Sequence, residues 1–145
     1  MKPVWLERAE NERDISEIPG AKHNPRILEY FDVCTYKAKE DEVPWCSAFV
    51  CAMLEWSRVR STRSAAAKSY IGWGLPIEIP TIGCIVILTR PGGTKEKPLY
   101  HVGFFNGESE KGIFVLSGNY RNTVCTAEFS KTRVVGYRIP TEYLE

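Results

Sequence analysis

Two side chains in this chain have the types needed for thiol chemistry at positions that secondary structure could bring together: Cys46 and His101. Cys46 lies in Asp41-Glu42-Val43-Pro44-Trp45-Cys46-Ser47-Ala48-Phe49-Val50, which continues to Trp56. Two apolar rows run through it at helical spacing, Trp45, Phe49, Ala52, Trp56 and Cys46, Val50, Met53. A helix apolar over most of its circumference belongs inside a domain. Pro44 suits the first helical position, and Asp41 and Glu42 suit the positive end of the dipole. Cys46 then sits in the first turn, facing free backbone N–H groups, a setting that lowers a thiol pKa. The competing reading is a packed core cysteine, a common fate for this residue type.

A thiol nucleophile needs a base, and the base needs a group that orients it. His101 opens a strand, Tyr100-His101-Val102-Gly103-Phe104-Phe105, where its ring can lie at a sheet edge beside a helix start. The competing reading is a half-buried strand histidine. Asn119, in Ser117-Gly118-Asn119-Tyr120, ends the next strand and can accept the second ring N–H through its amide oxygen. Asn122 is the rival, and Ser-Gly-Asn also suits a plain turn. Trp45, Trp73 and Tyr120 are aromatic residues suited to lining a substrate groove, although such residues more often pack cores.

The elements that must position these groups change character midway. Residues 3–14 suit a short amphipathic helix. Asn24-Pro25 starts a second helix, with Asn as cap and Pro at the first position. Ser64 can cap a third, Ala65 to Gly72. From Ile82 the pattern turns β: Ile82–Thr89, Tyr100–Asn106, Gly112–Ser117, Val124–Phe129 and Val134–Ile139, with a turn at Asn106-Gly107. No helix interrupts these strands, so the sheet is expected to be antiparallel. Helices followed by strands read as α+β.

The 145 residues fit one domain spanning 1–145. A formal net charge of +1 offers no nucleic-acid footprint. No run is long and apolar enough for stable membrane insertion, and the first residues lack a secretory h-region, so synthesis in the cytoplasm is expected. Five cysteines at irregular spacing, Cys34, Cys46, Cys51, Cys84 and Cys125, argue for reduced thiols and against a disulfide framework or a zinc site. His23, just before the second helix, reads as a loop residue.

These blocks, with Glu17-Ile18-Pro19-Gly20, His23 through Tyr30, Tyr70-Ile71-Gly72-Trp73-Gly74 and Val135-Gly136-Tyr137-Arg138, resemble the papain-like NlpC/P60 and CHAP-like cysteine hydrolases of bacterial cell walls. The resemblance spans nearly the whole chain, and Pro44-Trp45-Cys46-Ser47-Ala48-Phe49 is its specific part. It implies helices packed on an antiparallel sheet of about five strands, with Cys46 as nucleophile, His101 as base and Asn119 as orienting residue. It also implies hydrolysis of an amide bond in the stem peptide of peptidoglycan without a metal or organic cofactor. A phage lysin or an antibacterial effector fits, exported by a holin or a secretion machine; an effector would have an immunity protein as partner. The alternative is a non-catalytic module on the same scaffold that binds muropeptide or a protein. One departure is Gly83-Cys84, where many relatives carry Gly-Asp; it leaves Cys84 without a role.

Overall fold

The computed structural model describes residues 2–19, 23–38 and 44–141. Asp41 and Glu42, expected at the start of the central helix, lie outside them. The sequence of elements is α1 (Val4–Glu10), α2 (Pro25–Tyr30), a 3-10 turn (Phe31–Val33), α3 (Cys46–Glu55), a 3-10 segment (Ala67–Gly72), then β1 (Leu75–Ile77), β2 (Ile85–Arg90), β3 (Leu99–Glu108), β4 (Ile113–Tyr120), β5 (Thr123–Phe129), a 3-10 turn (Lys131–Arg133) and β6 (Val134–Ile139). The fold is α+β.

Local chemistry explains the helix ends. Asn24 caps α2 by accepting the Arg26 N–H at 2.9 Å, with Pro25 in the first turn. Trp45, not Pro44, is the residue that opens α3, so the proline stands one position outside the helix and Cys46 is its first residue. Residues 65 to 72 fall short of the expected α-helix. Ser64 instead turns the chain, its Oγ accepting the Ala66 N–H at 3.1 Å, and only the 3-10 segment follows. The first helix also ends at Glu10 rather than residue 14.

All strand pairings are antiparallel, in the order β1-β6-β2-β3-β4-β5. Five of the six strands follow the sequence expectation. The sixth, β1, is a three-residue exposed edge containing Pro76, too short for a periodic signal. The Asn106-Gly107 turn is also absent as such. Gly107, at φ 120°, lies within β3 where the pairing register shifts between Phe105 and Glu108.

The sheet buries both faces. On one, Ile85, Ile87, Val102, Phe104, Leu116 and Val124 pack with α3, which is buried from Cys46 to Leu54. The other gathers Val86, Leu88, Phe105, Ile113, Val115 and Phe129. There Phe105 of β3 meets Tyr137 of β6, two strands away, with ring centroids 6.1 Å apart. Side chains of non-adjacent strands thus meet on this inner face. Among the described residues, no helix is long and apolar enough to cross a membrane.

Candidate functional site

The site is built at the seam between β3 and β4. Successive residues of a strand direct their N–H groups to opposite neighbours. Phe105 N–H donates to Cys84 O on the β2 side at 2.8 Å, so Val102 N–H points toward β4. The ladder with β4 has ended by then, its last pair being Phe104 with Leu116. The backbone N–H groups of Val102, Ser47 and Cys46 itself act on the Cys46 sulfur and favour its thiolate.

His101 lies on the inner face, away from α3. Its Cα partner on β2 is Leu88, a residue of the inner cluster. The ring stacks on Phe129 at 5.9 Å, and Tyr120 lies edge-on at 6.4 Å. Nε2 is hydrogen-bonded to Ser117 Oγ of β4 at 2.8 Å. Cys46 thus packs with the α3 face of the sheet and the His101 ring with the opposite face, and His101 is not among the described residues that line the cavity beside Cys46. Among the described residues, no hydrogen bond joins thiol to ring.

The residue hydrogen-bonded to the His101 ring is Ser117, not the expected Asn119. Asn119 stands half-buried in the left-handed region at φ 59°, and no hydrogen bond joins it to His101. Asn122, the rival, is likewise left-handed and uses its carbonyl to accept Glu17 N–H at 3.0 Å. The signal for Ser117 was the period of two along β4. Ile113, Val115 and Ser117 share the inner face, and Gly103 lets Ser117 close in, since a Cβ there would stand 2.8 Å from Ser117 Cβ.

The groove-lining aromatics separate. Trp45 is fully buried, donates Nε1 to Glu17 Oε2 at 2.9 Å and stacks on Tyr30, so it is core. Trp73 donates to Arg60 O at 3.1 Å and lines a different cavity of about 170 Å³. Only Tyr120 stays, against His101. The cavity that Cys46 does line is open, about 300 Å³, and bordered by Pro44, Ala66, Lys68, Arg90, Leu99 and Tyr100 among others.

Electrostatics correct a second expectation. Burial pushes the Cys46 thiol above its ordinary range, against the Val102 N–H and the Arg90 charge, which pull it down. The helix start alone does not make it a thiolate. Burial, with the charges of Arg133 and Arg90, lowers His101 to about 4. Both groups rest neutral at pH 7.

Cys51 is the thiol with a lowered value, about 6, mainly through a hydrogen bond from Cys34, with Tyr70 Oη 3.0 Å from its sulfur. It is fully buried and outside the cavity. Cys84 packs in the inner cluster, and burial raises it to about 11. Among the described residues, no three His, Cys, Asp or Glu side chains converge as metal donors.

The lowered imidazole has a stability consequence with a definite sign. The ordinary value is 6.5 and the folded one about 4. Between them the unfolded chain binds more protons, so stability rises with pH and falls as the solution is acidified below 6.5. Unfolding free energy measured in urea should drop by about 2 kcal/mol from about pH 7.5 to about pH 5. Glu12 and Glu55, whose values are lowered from 4.5, remain ionised over that window. In His101→Gln most of that drop should vanish; an unchanged drop contradicts a buried neutral imidazole.

No family model matches the chain, and no curated protein matches it in sequence.

Proposed function

We propose that the chain is a cysteine hydrolase of peptidoglycan, cleaving an amide bond of the stem peptide from a papain-like, NlpC/P60 or CHAP-like scaffold. The observation that carries this reading is a thiol on the first residue of a buried helix, bordering a cavity, with the backbone N–H of the residue after His101 acting on its sulfur. If Nε2–H donates to Ser117, Nδ1 keeps its lone pair as the basic nitrogen. Nδ1 removes the Cys46 proton as the sulfur attacks the carbonyl carbon. The C=O electrons move to oxygen, where the Cys46 N–H is a donor once the sulfur leaves it. Collapse expels the amine, which takes the proton from the imidazolium, and water then releases the acyl group by the same base. Asn119 is kept as a candidate for the mouth of the seam rather than as the partner of the ring.

In this reading the protein is a phage lysin or an antibacterial effector, brought to the wall by a holin or a secretion machine. An effector would be held in check by an immunity protein. Mass spectrometry of purified peptidoglycan digested with the protein tests the activity, because a cleaved stem peptide shows a new carboxyl and a new amino terminus. Sacculi whose termini are unchanged after prolonged digestion would overturn it.

One observation favours the second reading, a non-catalytic module that binds muropeptide or a protein: thiol and imidazole rest neutral and unbonded to each other. That module would bind muropeptide with the same affinity in Cys46→Ala as in the unmodified chain, and would release no termini.

A further inference from the structure

Two thiols that the chemistry at Cys46 does not use converge in the core. Cys34 ends the 3-10 turn after α2, and Cys51 lies in the middle of α3. Segment 62–64 brings them together. Thr35 N–H donates to Arg63 O at 2.9 Å. The Cys51 sulfur stands 3.7 Å from Thr62 Oγ1 and 3.5 Å from Ser64 O, on either side of that arginine. Both thiols belong to the α3-side core, Cys34 2% exposed and Cys51 0%. The surroundings of Cys51 are more polar than packing needs. Tyr70 Oη lies 3.0 Å from its sulfur, and Thr62 Oγ1 is itself bonded to Ser69 Oγ at 2.8 Å. Cys34, then Tyr70, Ser61 and Thr62, hold the Cys51 thiol down against burial, while Cys34 is pushed up, so Cys51 ionises first and Cys34 keeps its proton. A thiolate beside a protonated thiol is the arrangement of an attacking and a resolving cysteine.

We propose that Cys34 and Cys51 form a reversible disulfide when a small hydroperoxide reaches them, tying α3 to the turn after α2. The Cys51 sulfur attacks one peroxide oxygen. An S–O bond forms as the O–O bond breaks, and the departing hydroxide takes the proton that Cys51 gave up. The Cys34 sulfur then attacks the sulfenic sulfur. The S–S bond forms, the S–O bond breaks, and the second hydroxide leaves as water with the Cys34 proton. Two thiols lose two electrons, and hydrogen peroxide becomes two waters. Burial restricts the oxidant to one of that size, entering past segment 62–64, whose Arg63 is exposed. The bridge closes a loop of roughly 15 residues and so raises stability by limiting the unfolded chain. The proposal does not rest on the hydrolase reading, since neither thiol is among the residues that line the Cys46 cavity.

The test treats the full reduced chain with hydrogen peroxide at neutral pH, then unfolds it and alkylates it with iodoacetamide for peptide mass spectrometry. Peptides joined through Cys34 and Cys51 are expected, and dithiothreitol should restore both alkylation sites. Urea unfolding of the oxidised chain should show an unfolding constant about a hundredfold lower, a gain that dithiothreitol reverses. In Cys34→Ser, peroxide should leave Cys51 as a sulfenic acid that dimedone labels; in Cys51→Ser it should leave Cys34 unmodified. The unmodified chain decides the matter even where a variant does not fold. Both sites still open to alkylation under peroxide that has consumed free cysteine would overturn the proposal. So would a bridge from either thiol to Cys46, Cys84 or Cys125, or the same pairing at the same rate in urea.

Discussion

Cys46→Ala is expected to abolish release of new peptidoglycan termini, a loss on the order of 10³–10⁶ in rate, because no other group can carry the acyl intermediate. Stability should change by less than about 1 kcal/mol, since the substitution removes one sulfur that borders an open cavity. His101→Gln should cost a comparable factor, as the two residues act as a unit and their losses do not add. Ser117→Ala should cost less, about five- to tenfold, the worth of one neutral hydrogen bond holding the ring. The pH profile of kcat/KM supplies the sign. With His101 at about 4, its basic form dominates above that value, so the acid limb should fall near pH 4 and not near 6.5. Muropeptide chromatography over a pH series, with each variant checked by urea unfolding, measures all of this. Undiminished release by Cys46→Ala, or an acid limb near 6.5, would contradict the geometry of the seam.

What the sequence made legible was what periodicity encodes. The apolar rows of residues 45 to 56 read as a buried helix and are one, with Cys46 in its first turn. Strand after strand could be read from β-branched runs, and the Asn24-Pro25 cap from residue type alone. What stayed hidden depends on contacts across the chain. Counting from strand ends pointed to Asn119, but the β3–β4 pairing stops at Phe104 and Leu116, Asn119 turns into the left-handed region, and the side chain that meets the ring is Ser117. The thiol offers the same lesson in energy. A helix start favours a thiolate, yet it acts on a sulfur only 6% exposed, where desolvation is the larger effect. Neighbouring position in sequence also misled for Trp45. The row that placed Trp45, Phe49 and Ala52 on one face was already an argument for core, and the ring turns away from the cavity that its neighbour Cys46 borders.

Trp45→Ala should therefore act on the fold. Trp45 is fully exposed to other protein atoms and to none of the solvent, at 0% accessibility, between Tyr30 and β4. Truncating so large a buried side chain costs about 3–5 kcal/mol. Trp45→Phe keeps most of the ring volume and loses the hydrogen bond to Glu17, so about 1 kcal/mol is expected there. A groove residue would behave otherwise, losing substrate affinity with stability within about 0.5 kcal/mol. Gly118 makes the distinction sharper. A Cβ added there would stand 2.7 Å from the Trp45 ring and 2.8 Å from Phe49 Cβ, so Gly118→Ala alone should cost about 1–3 kcal/mol by overpacking. In the Trp45→Ala background the added methyl enters space that the indole has left. The double variant should then be more stable than the sum of the two single losses implies, by an interaction energy of about 1 kcal/mol or more. Urea midpoints for the four proteins close this cycle, and strict additivity would show that the indole does not press on β4 at Gly118.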